Sequence, residues 1–126
     1  MSEQGLVGRR ILVVEDEYLI ADDVCAALVA AGAEVLGPCP TVEAAAAMVA
    51  HEARIDAALL DINLRGDPVF PVADALAARG VPFAFATGYD RWAIPSRFEA
   101  VALLEKPLKD RQIIATLEPM MPAALA

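Results

Sequence analysis

The stretch ILVVEDE, residues 11–17, decides how the rest of the chain is read: four apolar residues, Ile11 to Val14, run directly into three acids, Glu15, Asp16 and Glu17. A run this short, bounded by charge, fits a strand buried on both faces. Immediately afterwards Ile20, Val24, Leu28 and Ala31 recur at helical spacing, and Gly32 supplies a stop. The unit is therefore strand, acidic turn, helix.

The same alternation continues outward from it. Glu34 to Leu36 reads as a second strand closed by Gly37 and Pro38, and Thr41 then caps a helix carrying Val42, Ala45 and Val49 on one face. A third strand, Ala57 to Leu60, ends at Asp61. After a loop containing Gly66, Pro68 and Pro71, the third helix shows Val72 and Leu76 and stops at Gly80. A fourth strand, Pro82 to Ala86, ends at Thr87, and a fifth, Val101 to Leu104, ends near Lys106; a last helix spans roughly Lys109 to Glu118, with Ile113, Ile114 and Leu117. Between the fourth and fifth strands, Gly88 to Ala100 carries Pro95 and a weak apolar pattern, so the helix there should be short or irregular. Five short apolar strands alternating with helices predict an α/β fold: a doubly wound, five-stranded parallel sheet covered on both faces.

With 126 residues the chain fits one domain, 1–126, with a core over about 8–118, an N-terminal tail 1–7 and a C-terminal tail 119–126. That length is too short for this fold plus a separate output domain. The hydrophobic fraction is 58%, much of it alanine, and the apolar runs stay far below a membrane span of roughly 18 residues. The opening MSEQGLVGRR lacks the basic-then-apolar order of a secretory leader, which leads us to expect a cytoplasmic protein. A net charge of -8 argues against nucleic acid and acidic membranes as partners. Cys25 and Cys39 lack the paired spacing of a zinc site and read as reduced thiols. His51, the single histidine, lies near the end of the second helix as a cap or surface residue, and Arg9 and Arg10 read as a solvated pair flanking the first strand.

In open α/β sheets, ligands bind beyond the carboxyl ends of the strands where the strand order reverses; in the order 2-1-3-4-5 that point lies between strands 1 and 3. Glu15 and Asp16 follow strand 1 and Asp61 follows strand 3, so the three acids should share one pocket. Two unit charges about 4 Å apart repel by roughly 4 kcal/mol at an effective dielectric near 20, so the cluster calls for a cation or a raised pKa. Carboxylates without soft ligands suit Mg²⁺ or Mn²⁺. Read alone, Glu15 to Glu17 also fit a solvated helix N-terminus favoured by the dipole. The ends of the last two strands add a hydroxyl, Thr87, and an ammonium, Lys106, to the same edge. A phosphoryl group on Asp61 would have its oxygens met by the cation, Thr87 and Lys106. Gly88 either leaves room for a phosphodonor beside Thr87 or simply serves a turn.

The stretches ILVVED, LLDIN, FATG and LEKP, in this order and on successive strand ends, resemble the receiver domains of two-component response regulators, over nearly the whole chain. The resemblance implies a flavodoxin- and CheY-like fold, with Asp61 as phosphoacceptor and Asp16 and Asp61 as direct metal ligands. It further implies that Glu15 acts through water, that the backbone carbonyl of Asn63 completes the protein ligands, and that Thr87 and Lys106 bind the phosphoryl oxygens. Lys106-Pro107 resembles the family's cis peptide. The implied partners are a sensor histidine kinase or histidine phosphotransfer protein, and a downstream protein target.

Three departures bear on the readout. Glu15 stands where the family usually has an aspartate, which should tune metal geometry and leave binding intact. Leu103 occupies the position of the usual switch aromatic. FATG followed by Tyr89 resembles the atypical subclass named for its FATGUY motif, which also lacks that aromatic. The expectation is that phosphorylation orders Gly88 to Ala100, with Tyr89 a gate at the pocket mouth. Other readings of the same pocket are a haloacid-dehalogenase-like phosphohydrolase, an FMN binder and a phosphorylation-independent interaction domain. The phosphohydrolase needs a second acid two residues after its nucleophile, where this chain has Asn63. FMN needs backbone amides after strand 1, where the sequence offers three acids. The expected protein is thus a phosphoacceptor rather than an enzyme of many turnovers.

Overall fold

The computed structural model describes residues 5–88 and 94–122. Its five parallel strands are β1 (Arg10–Val14), β2 (Glu34–Cys39), β3 (Ala57–Asp61), β6 (Phe83–Thr87) and β7 (Leu103–Glu105), in the order β2-β1-β3-β6-β7. Discounting a two-stranded hairpin between β3 and β6, this is the 2-1-3-4-5 order expected. The helices are α1 (Tyr18–Ala30), α2 (Val42–His51), α3 (Phe70–Ala78) and α4 (Asp110–Leu117).

The unbroken apolar run of β1 is explained by its two faces. Ile11 and Val13 pack with Val24 and Leu28 of α1 and Ile113 and Leu117 of α4. Leu12 and Val14 point the other way, into a cluster with Val49 of α2 and Val72 and Leu76 of α3. Alternating side chains therefore both meet a helix layer, and no solvated face exists to call for polar residues. Thr41 caps α2 as its sequence position predicts, its Oγ1 accepting from the Ala44 amide at 3.0 Å.

Several boundaries differ from the sequence reading, each for a local reason. Strand β2 continues through Gly37 and Pro38, because an extra residue is accommodated as a bulge between the Leu12–Leu36 and Val14–Cys39 pairs. Gly37 has φ 102°, and a Cβ there would lie 2.7 Å from the Val13 carbonyl oxygen, so no other residue fits the bulge. The loop after Asp61 contains a small antiparallel hairpin, β4 (Asn63–Leu64) with β5 (Asp67–Pro68). Its central residues Arg65 and Gly66 both have positive φ, 54° and 94°, as a type I′ turn requires. Strand β7 begins at Leu103 because Val101 instead closes a turn, its amide bonding to the Phe98 carbonyl at 3.0 Å.

The core is also wider than 8–118: Leu6, assigned to the N-terminal tail, is fully buried beneath α1, and Met121, assigned to the C-terminal tail, is buried as well. The Leu6 amide bonds to the Ala31 carbonyl at 3.0 Å. Arg10 is not merely solvated, since its guanidinium joins Glu34 at 3.3 Å, Glu52 at 2.5 Å and the Arg54 carbonyl at 2.8 Å. Among the described residues, the β6–β7 connection holds one 3₁₀ turn, Ser96–Phe98, in place of a regular helix. Phe98 packs its ring against Phe70, Phe83 and Phe85, and Arg97 pairs with Asp74 of α3 through two bonds of 2.9 Å. Tyr89 lies outside the described residues. No described helix is long and apolar enough to cross a membrane.

Candidate functional site

The sheet register assembles the site. Val14 of β1 pairs with Leu60 of β3, so Glu15 and Asp61, the next residue on each strand, emerge side by side. Asp61 pairs with Ala86, Thr87 with Glu105, and the Lys106 amide donates to the Thr87 carbonyl at 2.8 Å. Four strand ends thereby converge on the edge that Asp16 closes from the β1–α1 turn.

Glu15, Asp16 and Asp61 each offer a carboxylate oxygen within 4.8 Å of the other two. Glu15 and Asp61 are each only 5% exposed and are the buried charged residues of the described chain. Lys106 lies between them, its Nζ 2.9 Å from Glu15 Oε1 and 3.3 Å from Asp61 Oδ2. One ammonium cannot neutralise three carboxylates. Burial pushes the Asp61 carboxyl up to about 8, and the neighbouring Glu15 charge adds to this while Lys106 opposes it. Burial works against the charge of Lys106, but its hydrogen bond to Glu15 and the charges of Asp61 and Glu15 outweigh that and raise its pKa.

Asp16, Asp61 and Lys106 line a cleft of about 1200 Å³ with Asn63, Thr87, Gly88, Leu103 and Arg65. Of the five strand-end positions singled out in the sequence, Asp16, Asp61, Thr87 and Lys106 reach it; Glu15 is not in its lining but is buried beside it, held by Lys106 and accepting from the Glu17 amide at 3.1 Å. Asn63 opens β4, and its Oδ1 accepts from the Gly66 amide at 2.7 Å. Leu103 stands in the cleft wall, 45% exposed. The Lys106–Pro107 peptide is cis. A Cβ on Gly88 would meet Lys106 Cδ at 3.7 Å, an ordinary contact, so glycine is not needed there for space. His51 lies outside the cleft lining, exposed and bonded through Nδ1 to the Ala47 carbonyl at 2.8 Å.

Sequence reasoning missed the second cation of the cleft. Arg65, at the hairpin tip, reaches Asp16 Oδ2 with its Nε at 3.8 Å. The signal was there in the Arg65-Gly66 pair that follows Asn63, a turn sequence two residues beyond a site residue.

An acidic cluster with one lysine, at the switch point of a parallel sheet, presents hard oxygen donors of the kind that suit a hard cation. Comparison with known proteins narrows the class. No protein-family model and no curated protein matches the chain. Among solved structures, SdrG from Sphingomonas melonis Fr1 is 42% identical, with a TM-score of 0.78 over 93% of this chain and 96% of that one. The BeF3-activated conformation of SdrG from Pseudomonas melonis Fr1 is 40% identical, with a TM-score of 0.72 over 95% and 98%. The PhyR response regulator REC domain of Erythrobacter litoralis is 25% identical, with a TM-score of 0.78 over 95% and 97%. The chain belongs to the receiver-domain family of response regulators.

Proposed function

We propose that this receiver accepts a phosphoryl group on Asp61 from a phosphohistidine of a sensor kinase or phosphotransfer protein. The observation that carries the reading is the burial of Asp61 among Glu15, Asp16 and Lys106, with the ammonium 3.3 Å from its carboxylate. In the reaction an Asp61 oxygen attacks phosphorus in line, a P–O bond forms, the P–N bond to the histidine breaks, and the imidazole departs with that electron pair. Lys106 offsets charge on the phosphoryl oxygens, and the Thr87 hydroxyl, from the neighbouring strand end, donates to another.

The donor set fits Mg²⁺ or Mn²⁺: hard carboxylate oxygens, no sulfur or imidazole, and more negative charge than Lys106 can balance. Asp16 and Asp61 would hold the ion directly, Glu15 through water, and the Asn63 carbonyl would complete the set. When bound, it supplies charge neutralisation for the phosphoryl oxygens and favours the ionised form of Asp61.

A phosphohydrolase reading is disfavoured because Asn63 stands where the second acid would be needed. The acyl phosphate then outlives its formation, and output follows through contacts with a downstream protein or by draining phosphate from a shared kinase. Incubation with Mg²⁺ and acetyl phosphate, followed by intact mass measurement, tests the reading. A gain of one phosphoryl group that vanishes in Asp61→Asn supports it; equal labelling of that variant removes Asp61 from the role.

A further inference from the structure

We propose that Arg65 is a specificity-determining residue of this pocket: it serves as counter-ion to Asp16 while the acidic cluster lacks a cation, and it turns to the phosphoryl group once Asp16 serves a divalent ion. The inference rests on the function proposed above and assigns to Arg65 the recognition of a phosphoryl dianion.

The hairpin tip is an unfavourable place for arginine on backbone grounds. Its φ of 54° lies in the left-handed region, where glycine or asparagine is at ease and a long side chain is not. The backbone around it is nonetheless pinned. Strands β4 and β5 pair through Asn63–Pro68 and Leu64–Asp67, and Asn63 Oδ1 holds the Gly66 amide at 2.7 Å. A fixed backbone carrying a side chain that is 74% exposed leaves the guanidinium as the part that moves.

Its present partner is a carboxylate of the acidic cluster. At 3.8 Å and with this exposure, the Arg65–Asp16 pair is of the weak, readily exchanged kind. With a divalent cation on Asp16, the guanidinium would face like charge at the same oxygens and lose its reason to stay. Asp61, Thr87 and Lys106 line the same cleft as Arg65, so a phosphoryl group there would bring new negative charge to it. Lys106 is already engaged by Glu15 and Asp61. Arginine's planar fork suits phosphoryl oxygens in a way that a lone ammonium does not.

The test uses two variants of the full chain. Arg65→Asn removes the charge and tolerates the positive φ, and Arg65→Lys keeps the charge without the fork. Mg²⁺ affinity is read by calorimetry on metal-free protein, and beryllofluoride affinity by amide spectra at saturating Mg²⁺. For Arg65→Asn we expect Mg²⁺ to bind about two- to five-fold more tightly and beryllofluoride more weakly by a similar factor. Arg65→Lys should keep the wild-type Mg²⁺ affinity and fall between the two for beryllofluoride. Opposite movements support the proposal, since a merely structural role would weaken both. Affinities that move together or stay fixed overturn it while leaving the site's function intact. Wild-type protein that binds neither probe would remove that function and the role of Arg65 with it.

Discussion

Replacing Asp61 with asparagine should stabilise the metal-free protein although it deletes the central residue of the site. At 4.8 Å, the largest separation in the cluster, an ionised Asp61 meets Glu15 and Asp16 with about 3.5 kcal/mol of repulsion each at an effective dielectric near 20. Lys106 at 3.3 Å returns about 5 kcal/mol on the same scale, leaving about 2 kcal/mol in favour of the neutral side chain. For a domain of this size that corresponds to a rise in Tm of about 6–10 °C. The Asp61 carboxyl sits at about 8 in the folded protein against 3.8 as its ordinary value, so the folded state holds an extra proton between those limits. Stability of the wild type therefore falls as pH rises through that window, and the advantage of the asparagine should grow from pH 5 to pH 8.5. The assay is thermal melting of both proteins in EDTA at the two pH values, repeated with Mg²⁺, which should stabilise the wild type more than the variant. A variant that melts below the wild type at pH 8.5 in EDTA would refute the charge argument.

Two further substitutions test separate parts of the account. Lys106→Met keeps the aliphatic stem and removes the ammonium, leaving Glu15 and Asp61 buried without compensation; urea unfolding at pH 8.5 should show a loss of about 3 kcal/mol, the opposite sign to Asp61→Asn. An unchanged midpoint would mean that the ion pairs contribute nothing. Phe98→Ala takes one ring from the four-phenylalanine cluster that fastens the Ser96–Phe98 turn to α3 and β6, and should cost about 3–5 kcal/mol in the same experiment. A cost below about 1 kcal/mol would show that the turn is held elsewhere, by Arg97 and Asp74.

The parts of the fold that could be read in the sequence are those written in hydrophobic periodicity. The run Ile11 to Val14 specified a strand buried on both faces, and the spacing of Val24 and Leu28 specified the helix that covers one of them. What escaped was written in single residues or in distant pairs. The bulge at Gly37 and the hairpin at Arg65-Gly66 depend on individual backbone angles. Leu6 and Met121 sit in short, weakly patterned ends, and only the packing under α1 and α4 shows that they are buried. Arg10 looked solvated because Glu34 and Glu52 are far from it in sequence, the first brought near by the pairing of β1 with β2 and the second by the end of α2.

The site itself was legible because a doubly wound sheet sends the residue after each strand to a common edge. Asp16, Asp61, Thr87 and Lys106 could be placed together from strand order alone. The grip of Lys106 on Glu15, and the second cation at the mouth, needed side-chain geometry.

The measurement that bears most directly on the central claim is chemical trapping of the phosphorylated residue. Protein incubated with Mg²⁺ and acetyl phosphate is treated with borohydride, which converts an aspartyl phosphate to homoserine, and the peptides are sequenced by mass spectrometry. The account predicts homoserine at position 61, and its loss when Mg²⁺ is replaced by EDTA. Homoserine at Asp16 in place of Asp61, or none at any position under conditions that label the intact protein, would contradict it.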